Sequence, residues 1–240
     1  MDKGQLLYEG KAKRLFETDQ SDVLIVEYKN DLTAFNGEKK AQEQGKGALN
    51  NQISSILFER LNREGISNHW LEQLNQTEQL VQHNEIIPIE VVVRNIAAGS
   101  LAKRIGLKEG RELAFPIVEY YYKDDDLGDP LINEDHIKLL NLVNQSDLNQ
   151  MKEMALKVND ALIELFEACE IKLVDFKLEF GYDRSGQIIL SDEVSPDTCR
   201  LWDIHTNEKL DKDVFRQGLG SVEHAYKIIL NRLKGALSHG

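Results

Sequence analysis

The chain has 240 residues, 41% of them hydrophobic and 29% charged, with a formal net charge of −12. That length suits one large or two small domains with a sizeable core. The negative charge excludes general affinity for nucleic acid or anionic membranes, and two cysteines, Cys169 and Cys199, exclude a disulfide framework or zinc knuckle.

Read in chain order, Gln5–Glu9, Arg14–Glu17 and Val23–Tyr28 are predicted strands. The first two flank a tight turn, Glu9-Gly10-Lys11-Ala12-Lys13-Arg14, where Gly10 lets the backbone approach a ligand and three cations cluster. The turn suits a loop lying over nucleotide phosphates, though on its own the plainer reading of an exposed basic hairpin tip is favoured. It lacks the Gly-Lys-Ser/Thr ending of a Walker A loop. The polar stretch Lys29–Lys40 reads as a mobile loop. From Gly47, Leu49, Ile53, Ile56, Leu57 and Leu61 fall on one helix face, with Gly65 as the stop. Polar His83-Asn84-Glu85 marks the expected domain boundary, giving domains 1–84 and 85–240.

Ile86–Val93 is a predicted strand, broken by Pro88 and Glu90 and far too short to span a bilayer. With no apolar leader after Met1, the protein is expected to be soluble and cytoplasmic. Val91–Arg104 reads as a buried strand, a small-residue turn and a helix start, with Ser100 as N-cap. Arg94 beside that helix start makes either an anion seat or a plain cap next to a surface arginine. Lys123–Asp135 is a polar, acidic loop that lacks the terminal glutamate of a calcium loop. It reads as a solvated charge run, within which Asp129, held extended before Pro130, can point into a cleft. A long helix follows, with Met151, Met154, Ala155, Val158, Leu162, Leu165, Phe166 and Cys169 on one stripe. Beyond a central hairpin come a loop over Ser195–His205, with Arg200 as an anion fork and Trp202 as packing, and a last helix from Asp213 through Leu233.

The hairpin carries most of the chemistry. In Leu173-Val-Asp-Phe-Lys-Leu-Glu-Phe-Gly181, strand alternation puts Asp175, Lys177 and Glu179 on one face and Val174, Phe176, Leu178 and Phe180 on the other. A two-residue loop at Ser185-Gly186 would set Glu179 opposite Asp192. Facing like charges destabilise a strand pair, and a hard divalent cation on their oxygens reverses that sign. A magnesium site with a lysine beside it is therefore expected, against the plainer reading of a solvent-facing strand with mutual ion pairs.

Four segments together resemble the SAICAR synthetase family, end to end and in order. They are Tyr8–Arg14, Glu90–Ser100, Leu173–Gly181 and Ser191–Asp203. The resemblance implies an α+β fold of two domains. One is an N-terminal antiparallel-sheet domain like the small lobe of protein kinases, the other a C-terminal ATP-grasp-like domain, with the nucleotide in the cleft between them. It implies a ligase of purine biosynthesis that joins L-aspartate to the carboxylate of carboxyaminoimidazole ribotide (CAIR), with ATP as co-substrate and Mg2+. The products are the succinocarboxamide (SAICAR), ADP and phosphate.

Carried over by motif, Gly10, Lys11, Ala12, Lys13 and Arg14 lie at the ATP phosphates, and Glu179 and Asp192 at the metal. Arg94, Ser100, Arg200 and Asp129 lie at the ribotide, and Lys177 and Asp175 at the reacting groups. Backbone around Val81–Ile86 meets adenine, Asn30–Lys40 is the family's poorly ordered segment, and a homodimer is expected. The rival classes are a phosphotransferase that leaves phosphate on a stable acceptor and a non-catalytic nucleotide-binding module.

Overall fold

A computed structural model of the chain describes residues 1–34 and 38–237. Its α+β character follows from the alternation of period-2 and period-3.6 segments. β1 (Leu6–Glu9), β2 (Lys13–Glu17) and β3 (Val23–Tyr28) fall where predicted. β4 (Asp31–Ala34) and β5 (Lys39–Gln42) pair with each other, Asp31 opposite Gln42 and Ala34 opposite Lys39. The expected loop Lys29–Lys40 is therefore largely a two-stranded ladder, with residues 35–37 outside the described residues.

α1 (Lys46–Arg63) buries Leu49, Ile53, Leu57, Phe58 and Leu61. It stops at Gly65, whose φ of 74° lets Ile66 N–H reach the Leu61 carbonyl at 2.9 Å. β6 (Trp70–Gln73) and β7 (Glu78–Gln82) complete an antiparallel sheet of order β1-β2-β3-β7-β6.

The second half contains β8 (Glu85–Ile96), α2 (Gly99–Ile105), β9 (Glu112–Tyr122), β10 (Leu131–Ile132), α3 (Glu134–Leu139) and α4 (Gln145–Ala168). Then come β11 (Ile171–Tyr182), β12 (Ile188–Ser191), β13 (Cys199–Asp203), α5 (Asp213–Gln217) and α6 (Val222–Leu237). Its sheet runs β10-β9-β8-β11, with β12 and β13 sharing the far edge of β11. The expected loop over Ser195–His205 thus contains a strand. The single last helix is in fact two, divided where Gly218 and Gly220 take φ of 67° and 150°, and Leu219 is exposed there. α2 has Ala98, not Ser100, as its N-cap.

The main core lies between this sheet and α1, α4 and α6, joining Ile89, Val91, Val93, Phe176, Leu178 and Phe180 to Phe58, Leu162 and Ile229. α1 belongs to the first 84 residues but packs here, so a division at residue 84 separates the sheets rather than the cores. Smaller clusters back the N-terminal sheet. The sheets meet where His69 N–H and Leu190 N–H bond the Leu190 and Ser67 carbonyls at 2.9 and 3.0 Å. No described helix is long and apolar enough to cross a membrane.

His69 lies at this junction, buried against the Phe58 ring. Burial, with Lys13 nearby, pushes its imidazole down to about 4. The unfolded chain binds this proton more readily, so the His69 contribution is complete above pH 6.5 and is lost as pH falls from 6.5 toward 4. A shift of that size is worth about 3 kcal/mol. Urea unfolding should show a shallower decline of stability over that window in His69→Gln than in the wild type, and identical slopes would refute the assignment.

Candidate active site

The site is built on the polar faces of β8 and β11. Asp175, Lys177 and Glu179 share one face of β11, and Phe176, Leu178 and Phe180 enter the core on the other. Val174 departs from the predicted alternation, because the β11–β13 register slips between Leu173 and Asp175. It packs instead with Ile96, Ala98 and Trp202.

The register across the hairpin is one residue off the expected one. The loop has three residues, Arg184 to Gly186, closed by Asp183 N–H to the Gln187 carbonyl at 2.9 Å, with Gly186 at φ 79°. The Asp183 carboxylate accepts from Ser185 and Gln187 N–H, which favours the longer loop. Glu179 therefore faces Ser191 on β12 and Glu90 on β8, not Asp192. A one-residue slip would normally move Asp192 to the other face. Asp192 lies just past β12 with φ 60°, and it still lines the same cavity as Glu179.

The far edge of β11 is open at its centre. β13 pairs as far as Phe176 and β12 starts at Glu179. Between them the chain diverges as Asp192–Thr198, and among the described residues it meets this edge through Lys177 N–H, which donates to the Thr198 carbonyl at 2.9 Å. This gap opens onto a cleft of two connected lobes, about 530 and 390 Å³, which share Lys11, Ala12, Glu90, Asp129, Lys177, Asp192 and Glu193.

The smaller lobe lies under the β1–β2 turn, where Gly10, Lys11, Ala12 and Lys13 line it. Lys13 bonds Asp192 and lies 3.1 Å from Glu193. Lys177 Nζ is 2.6 Å from Glu90 and 2.8 Å from Glu179, and Lys123 Nζ is 2.8 Å from the same Glu179 oxygen. Burial opposes charge on Lys177, but Glu179, Glu90 and Asp192 outweigh it and hold the ammonium well above its ordinary range. Burial likewise opposes charge on Asp192, and Lys13 and Lys177 outweigh it and hold the carboxyl well below its ordinary range. Burial raises Glu90 despite Lys177.

Four carboxylates and three ammonium groups thus interleave. Among the described residues no three His, Cys, Asp or Glu side chains form a ready cation cage. Magnesium needs only one or two carboxylates when phosphates and water complete its shell. The hard oxygens of Glu179 and Asp192, now held by ammonium groups, fit an ion arriving with a nucleotide.

The larger lobe holds Arg94, Arg200, Lys212 and Arg216 among carboxylates that include Asp175 and Asp197. Arg94 donates to Glu119 at 2.7 Å, Asp175 at 2.7 Å, and the Ser100 and Tyr121 hydroxyls at 3.1 Å. Arg200 donates to Asp175 at 2.9 and 3.1 Å and to Asp213 at 3.0 Å. Asp175 is thus gripped by both arginines. Gly99, with φ 52°, leaves room for Arg200, whose Nη2 would lie 2.5 Å from an added Cβ. Lys212 and Arg216 line the same lobe; burial pushes the Lys212 ammonium down, with partial relief from Asp197.

Two further sequence expectations differ from this geometry. Arg14 lines neither lobe, because alternation on β2 turns it toward Glu9 and Glu27 at 3.1 and 3.0 Å. Asp129 does line the cleft, but with φ 49° rather than extended backbone, and its carboxylate caps Asp124 N–H at 3.0 Å. Sequence reasoning gave no role to Glu90, Lys123, Glu193, Glu119 or Lys212. For Glu90 a signal existed, since Glu90 and Arg94 alternate with Ile89, Val91 and Val93. For Lys123 none did, as it sits in a charge-dense loop.

A family model described as SAICAR synthetase matches residues 6–233. The chain is 60% identical over 235 residues to the phosphoribosylaminoimidazole-succinocarboxamide synthase of Anoxybacillus flavithermus, covering 98% of each. The crystal structure of that synthase from Ehrlichia chaffeensis superposes with a TM-score of 0.94 at 47% identity, over 96% of this chain and 98% of the other. A SAICAR synthetase in complex with ADP superposes with a TM-score of 0.92 at 50% identity, over 95% and 97%. Matched along nearly its whole length in both sequence and fold, the chain belongs to the SAICAR synthetase family and is a ligase of purine biosynthesis.

Proposed function

We propose that the cleft binds ATP in its smaller lobe and CAIR in its larger one, and joins L-aspartate to the CAIR carboxylate through an acyl phosphate. Lys177 carries this reading. It sits between Glu90 and Glu179, where the phosphate-loop lobe meets the arginine lobe. An amide cannot form from a carboxylate with hydroxide as leaving group at neutral pH. A CAIR carboxylate oxygen attacks the γ-phosphorus, ADP leaves, and the acyl phosphate forms. The aspartate amine then attacks the acyl carbon, phosphate departs with the bonding pair, and the amine proton passes to that phosphate.

In such transfers the protein positions groups and neutralises charge. Gly10, Lys11, Ala12 and Lys13 cover the phosphates, while Lys177 stabilises charge on the group in transfer. Glu179 and Asp192 would hold Mg2+, which supplies Lewis-acid neutralisation of phosphate oxygens. Arg94, Ser100 and Arg200 anchor the ribotide phosphate so that remote binding energy aligns the carboxylate. Asp175, already bonded to both arginines, fixes that pair. Lys212 and Arg216 offer cations to the aspartate carboxylates.

A turnover assay omitting one substrate at a time tests the proposal. Phosphate release is expected only when ATP, CAIR and aspartate are all present, and to cease when EDTA removes the divalent ion. Stable phosphorylation of an acceptor without aspartate would instead favour a phosphotransferase.

A further inference from the structure

Asp211 is a fully buried carboxylate that lines neither lobe and takes no part in the chemistry above. Its Oδ2 accepts from Leu201 N–H at 2.8 Å and its Oδ1 from Asp213 N–H at 2.7 Å. Leu201 follows Arg200 on β13, and the Asp213 carboxylate receives Arg200 Nε at 3.0 Å. One side chain therefore ties the backbone beside Arg200 to the backbone of the residue that holds its guanidinium. No lysine, arginine or histidine forms an ion pair with Asp211 among the described residues, so backbone amides are its partners. An Asx turn leading into α5 would require only the bond to Asp213. The second bond, across to β13, serves no such turn and fixes the spacing between Arg200 and its acceptor.

We propose that Asp211 is a positioning residue for Arg200, holding its guanidinium ready for the anionic group of the ribotide. This rests on the functional reading above. The groups that face Asp211 electrostatically are Arg200 and Cys199 from β13, Tyr226 from α6 and Asp213 from α5. Burial, then Asp213, pushes its carboxyl up to about 7. Protonation in that range takes away the charge that strengthens both amide bonds.

The test is Asp211→Asn in the full chain, assayed with ATP, aspartate and CAIR. An amide side chain offers one acceptor and one donor, so one of the two N–H groups meets a donor. The ribotide KM should rise about tenfold, as for one lost buried hydrogen bond, with kcat and the ATP KM within about twofold. The wild-type ribotide KM should also rise from pH 8 to pH 6, relative to the ATP KM, and the variant should show less of this rise. A lower Tm with an unchanged ribotide KM would reduce Asp211 to a structural turn residue and overturn the proposal. Should the variant not fold, the wild-type profile decides, and a flat relative KM between pH 8 and pH 6 overturns it. A wild-type chain that makes no product removes the functional reading itself, an outcome distinct from active wild type with a normal variant.

Discussion

Replacement of Lys177 by methionine is expected to lower turnover about 100- to 1,000-fold while ribotide binding stays within a few-fold of wild type. Methionine keeps the apolar stem and removes the ammonium. The lost charge is the one shared by Glu90 and Glu179, which face each other across β8 and β11. Without it, like charges oppose in register, and phosphate oxygens arriving between them meet repulsion. The Arg94–Asp175–Arg200 cluster keeps its own bonds, so the anchor for the ribotide phosphate survives. Steady-state kinetics and calorimetric titration with CAIR separate the two effects. Normal turnover would remove the lysine from the chemistry, and an equal loss of ribotide binding would make it a binding residue.

The second large effect is on stability. Lys46→Met is expected to destabilise the fold by about 3–5 kcal/mol. Lys46 and Asp197 form an ion pair with side chains only 1% and 3% exposed. Lys46 also donates to the Asp31 carbonyl at 2.9 Å, and Asp197 accepts from the Tyr226 hydroxyl at 2.6 Å. The lysine begins α1, where a cation opposes the helix dipole, so only these partners justify its burial. Burial alone would raise the Asp197 carboxyl, and Lys46 outweighs it and holds the carboxyl well below its ordinary range. The single variant strands that charge, whereas Lys46→Met with Asp197→Asn removes both and should recover most of the loss in urea unfolding. Additive losses in the double variant would show that the pair does not act as a unit.

The strut has a bearing on the site. Pro196 and Thr198, either side of Asp197, give their carbonyls to Lys212 N–H and Lys177 N–H at 3.1 and 2.9 Å. Any slackening of the pair would therefore reach Lys177 and Lys212 through backbone.

Much of the site was legible because strand alternation is a local rule. Asp175, Lys177 and Glu179 share a face for the same reason that Phe176, Leu178 and Phe180 share the core. Helix faces in α1 and α4 were equally legible, since apolar side chains at helical spacing have only one way to be buried together. The breaks were less so. Gly218 and Gly220 interrupt a run whose apolar spacing continues through them, and periodicity does not register a change in backbone handedness. The hairpin register turned on whether Asp183 or Arg184 closes the loop, a competition settled by the hydrogen bonds of one aspartate side chain.

By itself, the sequence determined the α+β alternation, the polar face of β11 and the basic turn at Gly10, since each rests on neighbours within a few residues, and the family, which rests on four such segments in order. Tertiary structure alone decided which charges meet. Glu90 and Lys123 reach Lys177 and Glu179, Asp175 unites Arg94 with Arg200, and Lys46 finds Asp197 from 151 positions away. The physical reason is that an ion pair depends on distance and burial in space, and a linear spacing encodes neither until the strands and helices have packed.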